Sequence, residues 1–393
     1  MSNDTFRNRK NVDRRLLFGA IAIAFLPFLL PGRWPVISKA EFVVVKPTVS
    51  EATPVFYKDD IAAGDARVPM LHSAAITELS DGRLLAAWYG GTKEAVSDVQ
   101  IYASVSDASK QSWGPPFVLM SPTLAQQGLG RMVLVLGNPV LLTDHTGRVW
   151  LFFGSIAGGG WSTTDINFIT STDDGASWSS ARRLVAAPYT HSGTLVKGEA
   201  FEYQDGTIGL PVYRGYDPHS FCELLRIDRD GRVIAMSDMS RTVRGGLQPT
   251  VSIFDENNAV SLQRFYGPAP RRVLLTRTTD AGGTWETPVA TDRPNPDSAV
   301  APLVLSDGRL MLIFNNSEDK RDNLTIAISP DLGSTWKNVY VLESVAESND
   351  KTSEFSYPQV TRDKAGLIHV AYTVSRNRIR HTAFNEAWIN SLK

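Results

Sequence analysis

Six residues of this 393-residue chain stand at or just ahead of the first apolar run of six similar hairpins: His72, Asn138, Glu199, Gln248, Ser298 and Tyr357. Five of the six are large and polar, where a purely structural repeat would place small or apolar side chains. A histidine, with an ordinary pKa near 6.5, gives or takes a proton at neutral pH, which an arginine does not. A carboxamide such as Gln248 offers a donor and an acceptor to a sugar hydroxyl or a carboxylate. Arg131, Arg214 in "PVYRG" and Arg376 fall at hairpin ends or in loops. Trp161 stands in the glycine-rich "AGGGWST", where an indole face is either a stacking platform for a ligand ring or a loop hydrophobe.

The elements that must position these residues are repeats. The hairpins read "HSAAITELSDGRLLAAW", "NPVLLTDHTGRVWLFF", "EAFEYQDGTIGLPVY", "QPTVSIFDENNAVSLQRF", "APLVLSDGRLMLIF" and "YPQVTRDKAGLIHVAY". Each is an apolar run, a polar turn and a second apolar run, the pattern of a blade's inner strands. A second repeat is independent of the first: "STDDGASW", "TTDAGGTW" and "SPDLGSTW" share Ser/Thr-x-Asp-x-Gly-x-x-Trp, and "SVSDASKQSW" is a degraded copy. The Asp caps a tight turn, the Gly takes a backbone conformation closed to other residues, and the Trp packs back on the sheet. Successive box tryptophans lie 65, 107 and 51 residues apart, so one unit spans about 50–60 residues, the size of a propeller blade. Six hairpins predict an all-β, six-bladed β-propeller over 65–393. Residues 41–64 form an extension in which "EFVVVK" (Glu41–Lys46) is expected to close the ring.

Composition narrows the classes. With 42% hydrophobic and 21% charged residues the chain reads as globular, and a net charge of -1 argues against a nucleic-acid partner. The single cysteine, Cys222, excludes an intrachain disulfide, and the six histidines show no metal-ligand spacing, so no metal or cofactor is expected. Arg7, Arg9, Lys10, Arg14 and Arg15 precede the mostly apolar stretch Leu16–Leu30. That is the layout of an export signal over residues 1–40, with "SKA" as a cleavage site, or of a membrane anchor if uncut. Either way the remainder is expected outside the cytoplasm, secreted, periplasmic or anchored.

The boxes on six hairpins resemble the sialidase (neuraminidase) superfamily, from about Arg67 to the C-terminus. The resemblance implies a carbohydrate-active enzyme, a glycoside hydrolase removing a terminal acidic sugar. Such enzymes hold the sugar carboxylate with three arginines and use a tyrosine nucleophile, an activating glutamate and an acid/base aspartate, departing from the usual carboxylate pair. The tyrosine is matched by Tyr357, nine residues before Gly366, and two arginines by Arg264 in "SLQRF" and Arg321 in "RDNLTIAISPD". The first-hairpin arginine slot, nine residues before Asp81, holds His72, and the activating glutamate appears as Gln248. The acid/base falls in "GGTKEAVSD", which offers Glu94 and Asp98.

These departures open other chemistries. Without a base, ionising a phenol at neutral pH costs about 4 kcal/mol, so either another carboxylate such as Glu199 replaces the glutamate or Tyr357 is not a nucleophile. One alternative is uronate β-elimination: the arginines and Gln248 acidify the C5 proton, His72 removes it, and Tyr357 protonates the leaving O4. Another is a non-catalytic glycan-binding propeller. The expected partner in every case is a carboxylated glycan.

Overall fold

The computed structural model describes residues 40–45, 53–186, 193–215, 220–346 and 353–392. The chain divides into Met1–Ser38, which lies outside the described residues together with the expected signal or anchor, and Lys39–Lys393. Among the described residues no helix is long and apolar enough to cross a membrane, and no His/Cys/Asp/Glu cluster could hold a metal ion.

Six antiparallel sheets follow one another along the chain, each a blade. Their first strands are Met70–Glu78, Val135–Thr143, the broken pair Thr194–Val196 and Phe201–Glu202, Gly246–Ile253, Ala301–Val304 and Phe355–Arg362. First strands touch their counterparts in the next blade around most of the ring, and between the third and fourth blades Ile208–Arg214 touches Gly246–Ile253. The second strands Leu84–Gly91, Val149–Ile156, Ile208–Arg214 and Leu310–Phe314 are buried at every residue, because a neighbouring blade covers each face. Such strands therefore read as continuous apolar runs rather than alternation. Close backbone approach sets one glycine: a Cβ on Gly198 would lie 1.8 Å from the Pro249 carbonyl of the next blade.

Ring closure differs from the expectation. The strand completing the sixth blade is Phe56–Ala63, paired with Arg378–Phe384, and not Glu41–Lys46. The reason is polar matching. Asp60 accepts from Arg378 and Arg380, and Asp59 bonds His381 at 2.7 Å. His381 continues to His369, Asp363 and Lys110, a chain of bonds from the closing strand to the first blade. "EFVVVK" has its one carboxylate, Glu41, at its first position and no pair of acidic residues in its middle. Its Phe42 instead bridges Tyr203 of the third blade and stacks on that ring with centroids 5.4 Å apart.

The Asp boxes act as read from sequence. In the second blade Asp173 accepts from the Ser177 amide and hydroxyl and from Ser171, and the Trp178 indole donates to the Gly175 carbonyl. These bonds, Ser177 foremost, pull the Asp173 carboxyl down to about 2. Each box turn rests on the preceding blade: a Cβ on Gly175, Gly282 or Gly333 would meet Leu85, Leu224 or Leu275. The boxes are inter-blade contacts at the turn face, away from the site described next.

Candidate functional site

Four of the first strands carry a β-bulge at the same place. The register slips between His72 and Ala75, Gly137 and Val140, Leu247 and Thr250, and Ser356 and Gln359. Inside each slip one non-glycine residue has positive φ: Ser73 (59°), Asn138 (39°), Gln248 (49°) and Tyr357 (57°). A fifth, Asp297 (57°), precedes the first strand of the fifth blade. Bulges re-aim side chains, and strained backbone of this kind gathers at working sites. Here the bulges turn Asn138, Gln248, Asp297 and Tyr357 into one cavity of about 420 Å³, together with Glu94, Trp161, Arg264, Arg321 and Arg376.

Tyr357 lies at its centre. The phenol oxygen accepts from Arg264 Nη1 at 2.9 Å and from Gln248 Nε2 at 3.2 Å. Arg264 also donates to Gln248 Oε1 at 3.1 Å and, through Nε, to Asp297 Oδ1 at 2.5 Å. Arg321 donates to the Asp297 carbonyl at 2.6 Å. The Arg264 and Arg321 guanidinium carbons stand 6.0 and 5.6 Å from the centroid of the Tyr357 ring, and Lys197 Nζ stands 5.7 Å from it. Arg376 reaches the cavity from the turn after the second strand of the last blade, clamped by Glu354 at 2.8 Å and Glu94 at 2.5 Å. Three arginines thus line the cavity. Sequence reading matched two to the site and left Arg376 among loop residues.

His72 does not line it. The histidine is 1% exposed, one register position before the bulge, packed against Tyr89 and the Tyr357 ring (centroids 5.5 and 4.4 Å). Its Nδ1 meets Thr373 Oγ1 at 3.1 Å and its Nε2 has no partner among the described residues. Burial, then the charges of Arg376, Arg321, Lys197 and Arg264, hold its pKa well below the usual value, so the ring is neutral. His72 is a support behind the tyrosine.

The other expected residues divide. Asn138 and Trp161 line the cavity, and the Trp161 ring rests on Gly137, where a Cβ would come within 2.9 Å of it. Of the loop carboxylates, Glu94 lines the cavity and accepts from the Tyr89 hydroxyl, whereas Asp98 is exposed and caps the Thr92 amide. Glu199 lies in the channel, not the cavity wall, and accepts from the Val360 amide of the sixth blade at 2.8 Å. Burial pushes its pKa up to about 7, against the pull of that amide and of Lys197. Arg131 and Arg214 do not reach the cavity. Arg131 pairs with Asp165 and Ser155, and Arg214, buried in the third blade, with Glu223 and Thr194. Ser298 is buried while its neighbour Asp297 faces the cavity.

Two residues escaped sequence reading altogether. Asp297 was overshadowed by Ser298. Lys197 is 3% exposed, makes no hydrogen bond among the described residues, and is pushed down to about 8 by burial, with Glu199 opposing. The signal for Lys197 was present: it stands nine residues before Gly206, as Tyr357 stands before Gly366.

A propeller with boxed blades and a cationic, tyrosine-centred cavity is a sialidase-like architecture. The chain belongs to the BNR repeat-like domain family, whose model matches residues 82–370. No curated protein sequence matches it. Among solved structures it is similar to the Hadza microbial sialidase Hz136, at 20% identity and TM-score 0.69, over 83% of this chain and 68% of that one. It is also similar to the NanB sialidase of Streptococcus pneumoniae (13% identity, TM-score 0.65, 85% and 71% covered) and to the leech intramolecular trans-sialidase (14%, 0.66, 85% and 71%). At these identities the likeness is one of fold.

Proposed function

We propose that the cavity binds a terminal sugar by its carboxylate and that Tyr357 attacks the anomeric carbon. The observation that carries this reading is the surroundings of the Tyr357 oxygen: two donors, Arg264 and Gln248, and no acceptor among the described residues. Among the described residues a phenol so placed has no acceptor for its proton, which passes to solvent, while negative charge on the oxygen meets Arg264, Arg321 and Lys197. Cations therefore do for the oxyanion what a glutamate base would do for the phenol. Attack by the phenolate, its proton given up to solvent, forms a glycosyl–tyrosine bond and breaks the bond to the aglycone, whose oxygen takes a proton. Water then releases the sugar. Glu94 is the loop carboxyl that lines the cavity and serves as that proton donor, and Arg264, Arg321 and Arg376 hold the sugar carboxylate.

Uronate β-elimination needs His72 in contact with the substrate, and its burial behind Tyr357 weighs against it. Gln248 in place of a carboxylate favours a second reading, a glycan-binding propeller without turnover. One incubation separates the three. The soluble propeller is mixed with sialosides and uronate polysaccharides, and free sugar and ultraviolet absorbance are followed. Free acidic sugar supports the hydrolase, an unsaturated product supports elimination, and binding without product leaves the lectin.

A further inference from the structure

Beside the cavity lies a second hollow of about 600 Å³, lined by Arg244, Arg271, Tyr266, Ser220, Pro268 and Pro296 and sharing Ser220, Tyr266 and Asp297 with the first. The shared wall is fixed. Asp297 is locked by Arg264 through its carboxylate and by Arg321 through its carbonyl, and the Tyr266 amide donates to Gly245 at 2.8 Å. Arg271 Nε pins its own loop through the Gly267 carbonyl at 3.1 Å, while its Nη1 lies 3.4 Å from the exposed Asp319. Arg244 is exposed and has no hydrogen bond or ion pair among the described residues. Tyr266 is 48% exposed.

Position, charge and shape combine. A sugar seated in the inner cavity would direct its next unit past Asp297, and what that unit meets is a tyrosine face and two guanidinium groups. The carboxylate of Asp297 is already committed to Arg264 and that of Asp319 faces Arg271, which leaves Arg244 as the guanidinium of the hollow with no ion pair among the described residues. Aromatic faces stack on the apolar side of sugar rings, and an unpaired guanidinium such as that of Arg244 selects carboxylate or sulfate, with Arg271 beside it.

We propose that this hollow is a second sugar subsite, stacking the penultimate unit on Tyr266 and selecting an anionic substituent on it through Arg244 and Arg271. The preferred substrate is then a glycan with acidic groups on consecutive units. This rests on the inner cavity holding a terminal acidic sugar, and the test separates the two.

Three probes are titrated into the intact propeller by calorimetry: an aryl sialoside, which carries no second sugar unit; sialyllactose, whose second unit is neutral; and disialic acid, whose second unit is anionic. Disialic acid is expected to bind about tenfold more tightly than sialyllactose, an advantage of one charge-assisted contact. Arg244→Ala is expected to remove most of that advantage and Arg244→Glu to invert it, with aryl sialoside affinity unchanged in both. Because Arg244 makes no bond within the described chain, neither variant is expected to alter melting. Equal affinity for disialic acid and sialyllactose, or an advantage that survives Arg244→Glu, overturns the subsite. Absence of binding by all three probes, the aryl sialoside included, overturns the inner-cavity reading and the subsite with it.

Discussion

Replacing Lys197 with methionine is expected to make the protein more stable and less functional. The ammonium is buried and makes no hydrogen bond among the described residues, and burial lowers its pKa from 10.5 to about 8. A shift of that size corresponds to about 3 kcal/mol against the charged form in the folded state. The folded pKa is the lower one, so the cost is present in full below pH 8. It is relieved as pH rises from about 8 towards 10.5, where the unfolded chain still binds the proton and the folded chain does not. Methionine fills a similar volume with no charge, so Lys197→Met gains up to about 3 kcal/mol at neutral pH. Removing the cation also lets Glu199 stay protonated at neutral pH, since Lys197 is one of the groups that holds its pKa down. Denaturant melts of both chains across pH 6 to about 10.5 should show a gain that is largest below pH 8 and fades at the alkaline end. Turnover should fall about 100-fold, because one of the cations around Tyr357 is lost. A destabilised variant would show that the ammonium is well paired. A stabilised variant with full activity would show that Lys197 does nothing for Tyr357.

Three further outcomes follow from the same geometry. Gly137→Ala puts a methyl group into the Trp161 ring, and sugar affinity measured by titration should drop about tenfold with little change in melting. Glu94→Gln should lower kcat about 100-fold on a poor leaving group while sparing an activated aryl glycoside; equal loss on both would reduce Glu94 to a clamp on Arg376. Asp280→Ala removes the acceptor for the Thr284 amide and hydroxyl in its box and should cost about 1–2 kcal/mol by chemical denaturation, with KM unchanged.

The repeats made the architecture legible, because each blade's inner strands are buried on both faces and each box needs the same three side chains. Tyr357, Gln248, Arg264 and Arg321 were found by their distance from a turn, and the structure brings all four within one hydrogen-bonded group. What spacing does not carry is the bulge register. A single position separates His72, sealed behind Tyr357, from the slot occupied by Tyr357, Gln248 and Asn138 in their blades, and the same offset hid Asp297 behind Ser298. Arg376 and Glu94 are far apart in sequence and meet only because the ring closes the sixth blade beside the first. The closing strand was misread for a related reason: apolar content pointed to Glu41–Lys46, whereas the pairing is decided by Asp59 and Asp60 facing His381, Arg378 and Arg380.

The central claim is that three arginines around Tyr357 recognise a sugar carboxylate. It is tested most directly by titrating the propeller with acidic monosaccharides, sialic, glucuronic and galacturonic, and with the methyl ester of each. At least one acid is expected to bind, and its ester about 100-fold more weakly, the loss of a multiply hydrogen-bonded ion pair. Failure of all three acids to bind, or equal affinity of acid and ester, would contradict it.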